Sequence, residues 1–260
     1  MPDLAIELKK NKKIYFASDF HLGLSSVPRQ YEIEREHKVI RWLDSIENDA
    51  QAIFLVGDIF DFWYEYRHAV PKGHVRFLGK IANLADRGIE VVFFTGNHDL
   101  WMFRYFQEEL GIEVHHRPVE LKVSDKTFMV GHGDGLGPGD RLYKILKKIF
   151  TNKAAQWLFR WLHPDIGIEL AKRWSKSSRI RKTGLDEKFL GEKEYLIQYC
   201  RKREREKHRD YYVFGHRHMS LDFKLTENSR YINLGEWVNH FTYGEFNGRS
   251  FALRSFQDNL

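Results

Sequence analysis

The sequence predicts a mixed α/β fold in which two packed sheets carry helices on their outer faces. Three observations predict it. Over roughly the first 100 residues, short β-branched or aromatic runs that end in polar motifs alternate with amphipathic helical segments, the pattern of consecutive strand–helix–strand units. The polar motifs are evenly spaced, Asp58 following Asp19 by 39 residues and Asn97 following Asp58 by another 39, with no sequence repeat behind the spacing. Beyond residue 119 the runs become shorter and alternate, as in a second sheet.

Taken in order, Lys13-Ile14-Tyr15-Phe16-Ala17 reads as a buried strand that ends at Ser18-Asp19-Phe20-His21-Leu22-Gly23. Tyr31 to Glu47 places Ile33, Val39, Ile40, Leu43 and Ile46 near helical spacing between charges, so it reads as an amphipathic helix. The strand Ala52 to Val56 closes in Gly57-Asp58, and a helix from His74 to Arg87 leads to Gly88 as its stop. Glu90 to Phe94 is the third strand and ends in Thr95-Gly96-Asn97-His98-Asp99, with a helix expected over Trp101 to Leu110. Right-handed crossovers keep such strands parallel, so the three motifs leave one edge of the sheet. Strands Val119 to Val123 and Thr127 to Val130 lead to Gly131-His132-Gly133-Asp134, and Tyr211 to Phe214 leads to Gly215-His216-Arg217-His218. Short strands at Tyr231 to Leu234, Phe241 to Glu245 and Ser250 to Phe256 complete the series.

At 260 residues the chain is long enough to bury a full core, and it is read as a single domain over 1–260. The single cysteine, Cys200, excludes an intramolecular disulfide and fits a reducing compartment. The stretch from Met1 to Lys13 lacks the apolar centre of a signal peptide, and no apolar run reaches spanning length. The expectation is a cytosolic chain without a transmembrane span. A net charge of +6 points to an anionic partner, whether phosphate ester, nucleic acid or acidic lipid surface.

Five strand ends supply Asp19, His21, Asp58, Asn97, His132, His216 and His218. Imidazole and carboxylate without thiolate suit two divalent cations such as manganese, iron, zinc or magnesium. A neutral Asn97 oxygen limits the negative charge, which keeps the cations electrophilic. Two cations in close proximity need a shared ligand, and Asp58, alone in its motif, is the best bridging carboxylate. Hydroxide held between them would attack phosphorus in line. Each piece alone is weak, since an Asp-x-His turn is more often a capped loop and a lone buried histidine more often core. It is the set of five, each at a strand end, that carries the reading. The histidines outside the motifs (His37, His68, His74, His115, His116, His163, His208 and His240) are read as ordinary structure.

SDFHLG, VGDIFDFW, TGNHD, VGHGDG and FGHRH, in this order, resemble the motifs of calcineurin-like metallophosphoesterases across nearly the whole chain. The resemblance implies a four-layer β-sandwich flanked by helices, a dinuclear metal site, and hydrolysis of phosphoesters or pyrophosphates. It would assign Asp19, His21, Asp58 and His218 to one metal and Asp58, Asn97, His132 and His216 to the other. His98 matches the position that protonates the leaving group or holds the phosphate, with Asp99 as its orienting partner.

The 84 residues from His132 to His216 exceed what one helix and one strand need. From Arg141 to Lys182, twelve lysines and arginines face only Asp165 and Glu169, a local charge of +10. Trp157, Trp161 and Trp174 lie among apolar residues at helical spacing, so the segment reads as two or three basic amphipathic helices. One account is a helical cap with a solvated charged face. The other is a lid, inserted over 138–209, that binds something anionic and greasy at a membrane surface. GHGDGLGPGD, the basic tryptophan-containing segment, SKSSRIRK and INLGEW are together similar to the bacterial UDP-2,3-diacylglucosamine hydrolases of lipid A synthesis. That resemblance implies hydrolysis of a UDP-linked lipid to UMP and a lipid 1-phosphate, with manganese as the metal, at the cytoplasmic face of the inner membrane. It makes Asp140, Ser175, Arg179 and Lys182 substrate contacts, with Asn97, His98 and His216 facing the phosphates. The alternative is action on other phosphomonoesters, phosphodiesters or nucleic acid. The acids and bases of Lys193 to Arg209 interleave as on a solvated helix, which disfavours nucleic acid. No protein partner is expected.

Overall fold

In the computed structural model, residues 3–24, 26–139, 141–171, 173 and 189–258 are described. They form two six-stranded sheets. One sheet has the order β12-β11-β2-β3-β4-β5 and the other β1-β6-β7-β8-β10-β9. The strands are β1 Leu4–Ile6, β2 Lys13–Ala17, β3 Ala50–Val56, β4 Glu90–Phe94, β5 Glu113–His115, β6 Val119–Val123, β7 Lys126–Gly131, β8 Tyr211–Phe214, β9 Ser220–Lys224, β10 Arg230–Leu234, β11 Thr242–Phe246 and β12 Phe251–Ser255. The helices are α1 Arg29–Ile46, α2 Val75–Asp86, α3 Tyr105–Leu110, α4 Arg141–Phe150, α5 Lys153–Arg160 and α7 Tyr195–Glu206, with a further helical run over 164–171 (α6).

Strand alternation builds four layers. Along β2, Ile14 and Phe16 point between the sheets, where they meet Phe54, Phe94, Phe128, Val130 and Val213. Tyr15 and Ala17 point the other way, onto a core with Trp42, Leu43, Phe77, Ile81 and Phe106 of α1, α2 and α3. On the outer face of the second sheet, Met129, Tyr212, Phe214 and Tyr231 pack on Leu196, Ile197 and Cys200 of α7. Each fully buried aromatic or aliphatic side chain contributes about 1.5–3 kcal/mol of transfer free energy, so the three cores dominate the stability.

β2, β3 and β4 are parallel neighbours, as their even spacing predicts. In the other sheet β7, β8 and β10 are parallel neighbours. Two differences from the sequence reading have plain causes. The helix expected over Trp101 to Leu110 starts only at Tyr105, because Trp101 pairs with Tyr64 in a parallel bridge and Glu65 Oε2 accepts from the amides of Arg104 (2.7 Å) and Tyr105 (3.1 Å). The strands β1, β5 and β9 lie outside the predicted set. All three are edge strands, and β9 has no buried residue to impose a period.

The segment expected to be basic and helical does hold α4, α5 and α6. Asn152 caps α5, its side-chain oxygen accepting from the amides of Ala154 (2.9 Å) and Ala155 (3.1 Å). Neither α4 nor α5 buries a residue fully. Their attachments are local: Trp101 Nε1 donates to the Phe150 carbonyl (2.8 Å) and the Tyr64 hydroxyl to that of Gln156 (2.7 Å). Among the described residues no helix is long and apolar enough to cross a membrane.

Candidate metal centre

The C-terminal ends of β2, β3 and β4 deliver Asp19, His21, Asp58, Asn97 and His98 at one edge of the first sheet, and β7 and β8 deliver His132, His216 and His218 from the facing sheet. Donor atoms of Asp19, His21 and His218 lie within 4.8 Å of one another, as do those of His21, Asp58 and His98, and those of Asp58, His132 and His216. The sets overlap in series, His21 joining the first to the second and Asp58 the second to the third. His21 Nε2 is 3.2 Å from His218 Nε2, His218 Nε2 is 3.1 Å from Asp19 Oδ1, and His132 Nε2 is 3.2 Å from Asp58 Oδ2.

The backbone that aims these groups is unusual. Asp19, His21, Asp58, His216 and His218 all have left-handed φ angles, between 47° and 69°. Each such residue costs of order 1 kcal/mol or more, so the surrounding bonds must impose it. The loops after β2 and β3 do this by cross-linking: Asp19 N donates to Gly57 O (3.0 Å), His21 N to Asp58 O (3.0 Å) and Leu22 N to Ile59 O (2.9 Å). His216 N donates to Asp19 Oδ2 (3.0 Å), Gly215 N to His132 O (3.0 Å), and Asn233 Nδ2 to Gly215 O (2.6 Å). Gly96 is required for a different reason. A Cβ there would collide with the Asp58 carboxylate and lie 2.6 Å from the Asp58 amide nitrogen.

Ring orientation follows from the partners. His132 Nδ1 lies 2.9 Å from the Val56 carbonyl, which can only accept, so Nδ1 carries a proton and Nε2 is the nitrogen turned toward Asp58. His98 Nδ1 stands likewise 3.1 Å from the Asp61 carbonyl, with Asp61 Oδ1 at 3.6 Å. The Asp99 carboxylate accepts from the amides of Gly96 (2.6 Å), Asp58 (3.3 Å), Ile59 (2.8 Å) and Phe60 (3.3 Å), clamping the two loops together. Adjacent side chains in a turn diverge, and Asp99 is fully buried beneath it. Asp61, buried and 3.9 Å from His21 Nδ1, is the acid that sequence reasoning missed. Its signal was a second carboxylate within VGDIFDFW.

The site suits cations. Asn97 Oδ1 is buried and makes no hydrogen bond, while Asp19 Oδ1 and His132 Nε2, equally buried, face the neighbouring groups His218 and Asp58 at 3.1 and 3.2 Å, an arrangement that suits an occupying cation. Burial alone would lower His132, yet the carboxylates of Asp58 and Asp19 push it up to about 10. Burial opposes the charge of Asp58 too, but the imidazoles of His132, His98 and His21 hold it well below the usual carboxylate range. A proton is thereby drawn to where positive charge is lacking. Asp99, by contrast, is pushed up to about 7 by burial and by the Asp58 charge. Asp140, Ser175, Arg179 and Lys182 lie outside the described residues.

Fold and site together define a calcineurin-like phosphoesterase, and the chain belongs to that family: the family model matches residues 12–220. It is a metal-dependent hydrolase. The chain is similar to a Porphyromonas gingivalis protein named UDP-2,3-diacylglucosamine hydrolase, 37% identical over 95% of this chain and 98% of that one. A Histophilus somni protein of the same name is 24% identical over 87% of this chain and 92% of its own. A third of that name, from Neisseria meningitidis serogroup B, is 30% identical over 66% of this chain and 69% of its own.

Proposed function

We propose that this chain hydrolyses the pyrophosphate of UDP-2,3-diacylglucosamine, giving UMP and 2,3-diacylglucosamine 1-phosphate. The observation that carries the reading is the 37% identity, over nearly the full length of both chains, to the Porphyromonas gingivalis protein of that name. Two divalent cations, manganese for preference, would be held by Asp19, His21, Asp58 and His218 on one side and by Asp58, Asn97, His132 and His216 on the other. When bound, they supply Lewis acidity for the phosphoryl oxygens and an activated water.

The protein's own groups do the rest. Asp58, shared between the sets, offsets the repulsion between two like charges. The Asp61 carbonyl accepts a hydrogen bond from His98 Nδ1–H, which leaves Nε2 to meet the substrate. The leaving group of a pyrophosphate is itself a phosphate, whose second pKa is about 6, so it departs without needing a proton and His98 serves mainly to bind it. An alkoxide would need the imidazolium as acid.

The insertion over 138–209 is proposed as a lid on a single domain, with Asp140, Ser175, Arg179 and Lys182 reaching the substrate. Support for contact with the membrane surface comes from its outer face. Leu142, Ile145, Ile149, Trp157, Leu158 and Trp161 are each at least half exposed, Trp161 to 74%, beside the exposed cations Lys148, Lys153 and Arg160. Burial of tryptophan among acyl chains with cations at anionic headgroups suits such a face. This would place the protein at the cytoplasmic side of a bacterial inner membrane. Incubation with UDP-2,3-diacylglucosamine and manganese, beside simple phosphodiesters and cyclic nucleotides, is the test: mass spectrometry should find UMP. Brisk diester cleavage without UMP would overturn the assignment.

A further inference from the structure

Arg217 stands between His216 and His218, the two residues of the β8 turn that reach into different ligand sets. It is 5% exposed. Its guanidinium forms a two-pronged pair with Glu194, itself 1% exposed: Nε donates to Oε1 (2.6 Å) and Nη2 to Oε2 (3.2 Å). Glu194 directly precedes α7, at the close of a 3₁₀ turn over Gly191–Lys193. The 3₁₀ turn and the start of α7 are thus joined to the ligand turn through this pair.

Burying an ion pair this completely gains little stability, because desolvation consumes most of the attraction, and apolar residues of similar volume would do as well. What a planar two-pronged pair provides is position. Both flanking histidines hold left-handed φ angles, 69° at His216 and 51° at His218, and a turn in that conformation relaxes unless it is held. Charge acts in the same direction. A bare guanidinium beside a site for two dications would repel them, and Glu194 cancels it.

We infer that Arg217 and Glu194 are a positioning pair that sets His216 and His218 together, so that both cation sites depend on one ion pair outside the ligand set. This rests on the two-cation reading given above. The Arg217–Glu194 pair touches neither substrate nor metal in this scheme and acts only through the two imidazoles.

The test is titration of the metal-free full chain with Mn²⁺, followed by calorimetry and by the electron paramagnetic resonance signal of free ion, together with the melting temperature of the metal-free protein. Glu194→Gln should weaken both sites by about 10–100-fold, the usual cost of removing an outer partner of a metal ligand. Arg217→Lys, which keeps the charge but loses the fork, should weaken both by less, and it serves if Glu194→Gln does not fold. Glu120→Gln is the control: it breaks the pair with buried Arg209, remote from the turn, and should lower the melting temperature while leaving Mn²⁺ affinity unchanged. Parent-like affinity at both sites in Glu194→Gln and Arg217→Lys, or loss confined to one site, overturns the inference alone. A parent protein that binds no Mn²⁺ overturns the two-cation reading itself.

Discussion

The Nδ1 atom of His132 lies 2.9 Å from the carbonyl oxygen of Val56, a contact between the end of β7 in one sheet and the end of β3 in the other. It fixes the tautomer of the imidazole and its distance from Asp58 at once. The ligand geometry is therefore a product of how the two sheets pack, and several outcomes follow from that.

Asp58→Asn removes the shared charge while keeping the shape. Turnover should be abolished, and Mn²⁺ affinity should fall at both sites, with little change in circular dichroism. Near-normal activity would refute the two-cation mechanism.

Gly96→Ala adds one methyl group where it meets the Asp58 carboxylate. Overpacking of this kind costs about 1–3 kcal/mol, and here the group that must yield is the carboxylate proposed as the bridge. Metal stoichiometry should drop along with the melting temperature. A variant with the parent's stoichiometry and turnover would show that the loop relaxes without disturbing Asp58.

Asp99 and Asp61 should separate cleanly. Asp99→Ala strands four amides and should cost about 2–3 kcal/mol or more of stability, read by denaturant unfolding. Asp61→Asn should spare most of that stability and change instead the ratio of pyrophosphate to alkyl-ester cleavage, since Asp61 stands beside His98. Equal effects of the two on the substrate ratio would defeat the division of labour argued above.

Glu120 gives a prediction in pH. Burial acts to raise its pKa, but Lys207 and Arg209 bring it below the usual value of 4.5. A depressed carboxylate stabilises the fold above its unfolded pKa and loses that contribution as pH falls through the folded one. Glu120→Gln should therefore melt below the parent at pH 7, and the gap should close below pH 4.5. A gap that does not narrow at all as pH falls below 4.5 would mean that the charge is not its source.

Trp157→Ser with Trp161→Ser should reduce co-sedimentation with anionic vesicles severalfold, most clearly at high salt, where the cations' attraction to the headgroups is screened, while leaving cleavage of a water-soluble phosphodiester intact. Equal vesicle binding by parent and variant would remove the proposed membrane face.

Much of this was legible in the sequence because chemistry constrains residue type where strands end. Asp19, His21, Asp58, Asn97 and His132 follow apolar runs whose period gives both the strand and its exit. What escaped has physical reasons too. Trp101 fits a helical pattern, yet it pairs with Tyr64 because Glu65 caps the helix four residues later. Asp99 follows His98 in sequence, but its carboxylate satisfies backbone amides beneath the turn, a use that leaves no mark in composition. Arg217 lies between two histidines in the sequence, where nothing marks that it is buried and paired with Glu194, 23 residues earlier.

The ligand set runs from Asp19 to His218, and neither sheet owns a complete share of it. A ligand that binds only the finished sandwich stabilises it by mass action, by about 2.7 kcal/mol when its free concentration is 100 times its dissociation constant. The catalytic ions should thus double as a clasp on the fold, and chelation should be felt as a lower melting temperature well before any hydrolysis is measured. Conversely, His216 and His218 join the other donors only once β8 has docked beside β7, so full loading with metal depends on that packing.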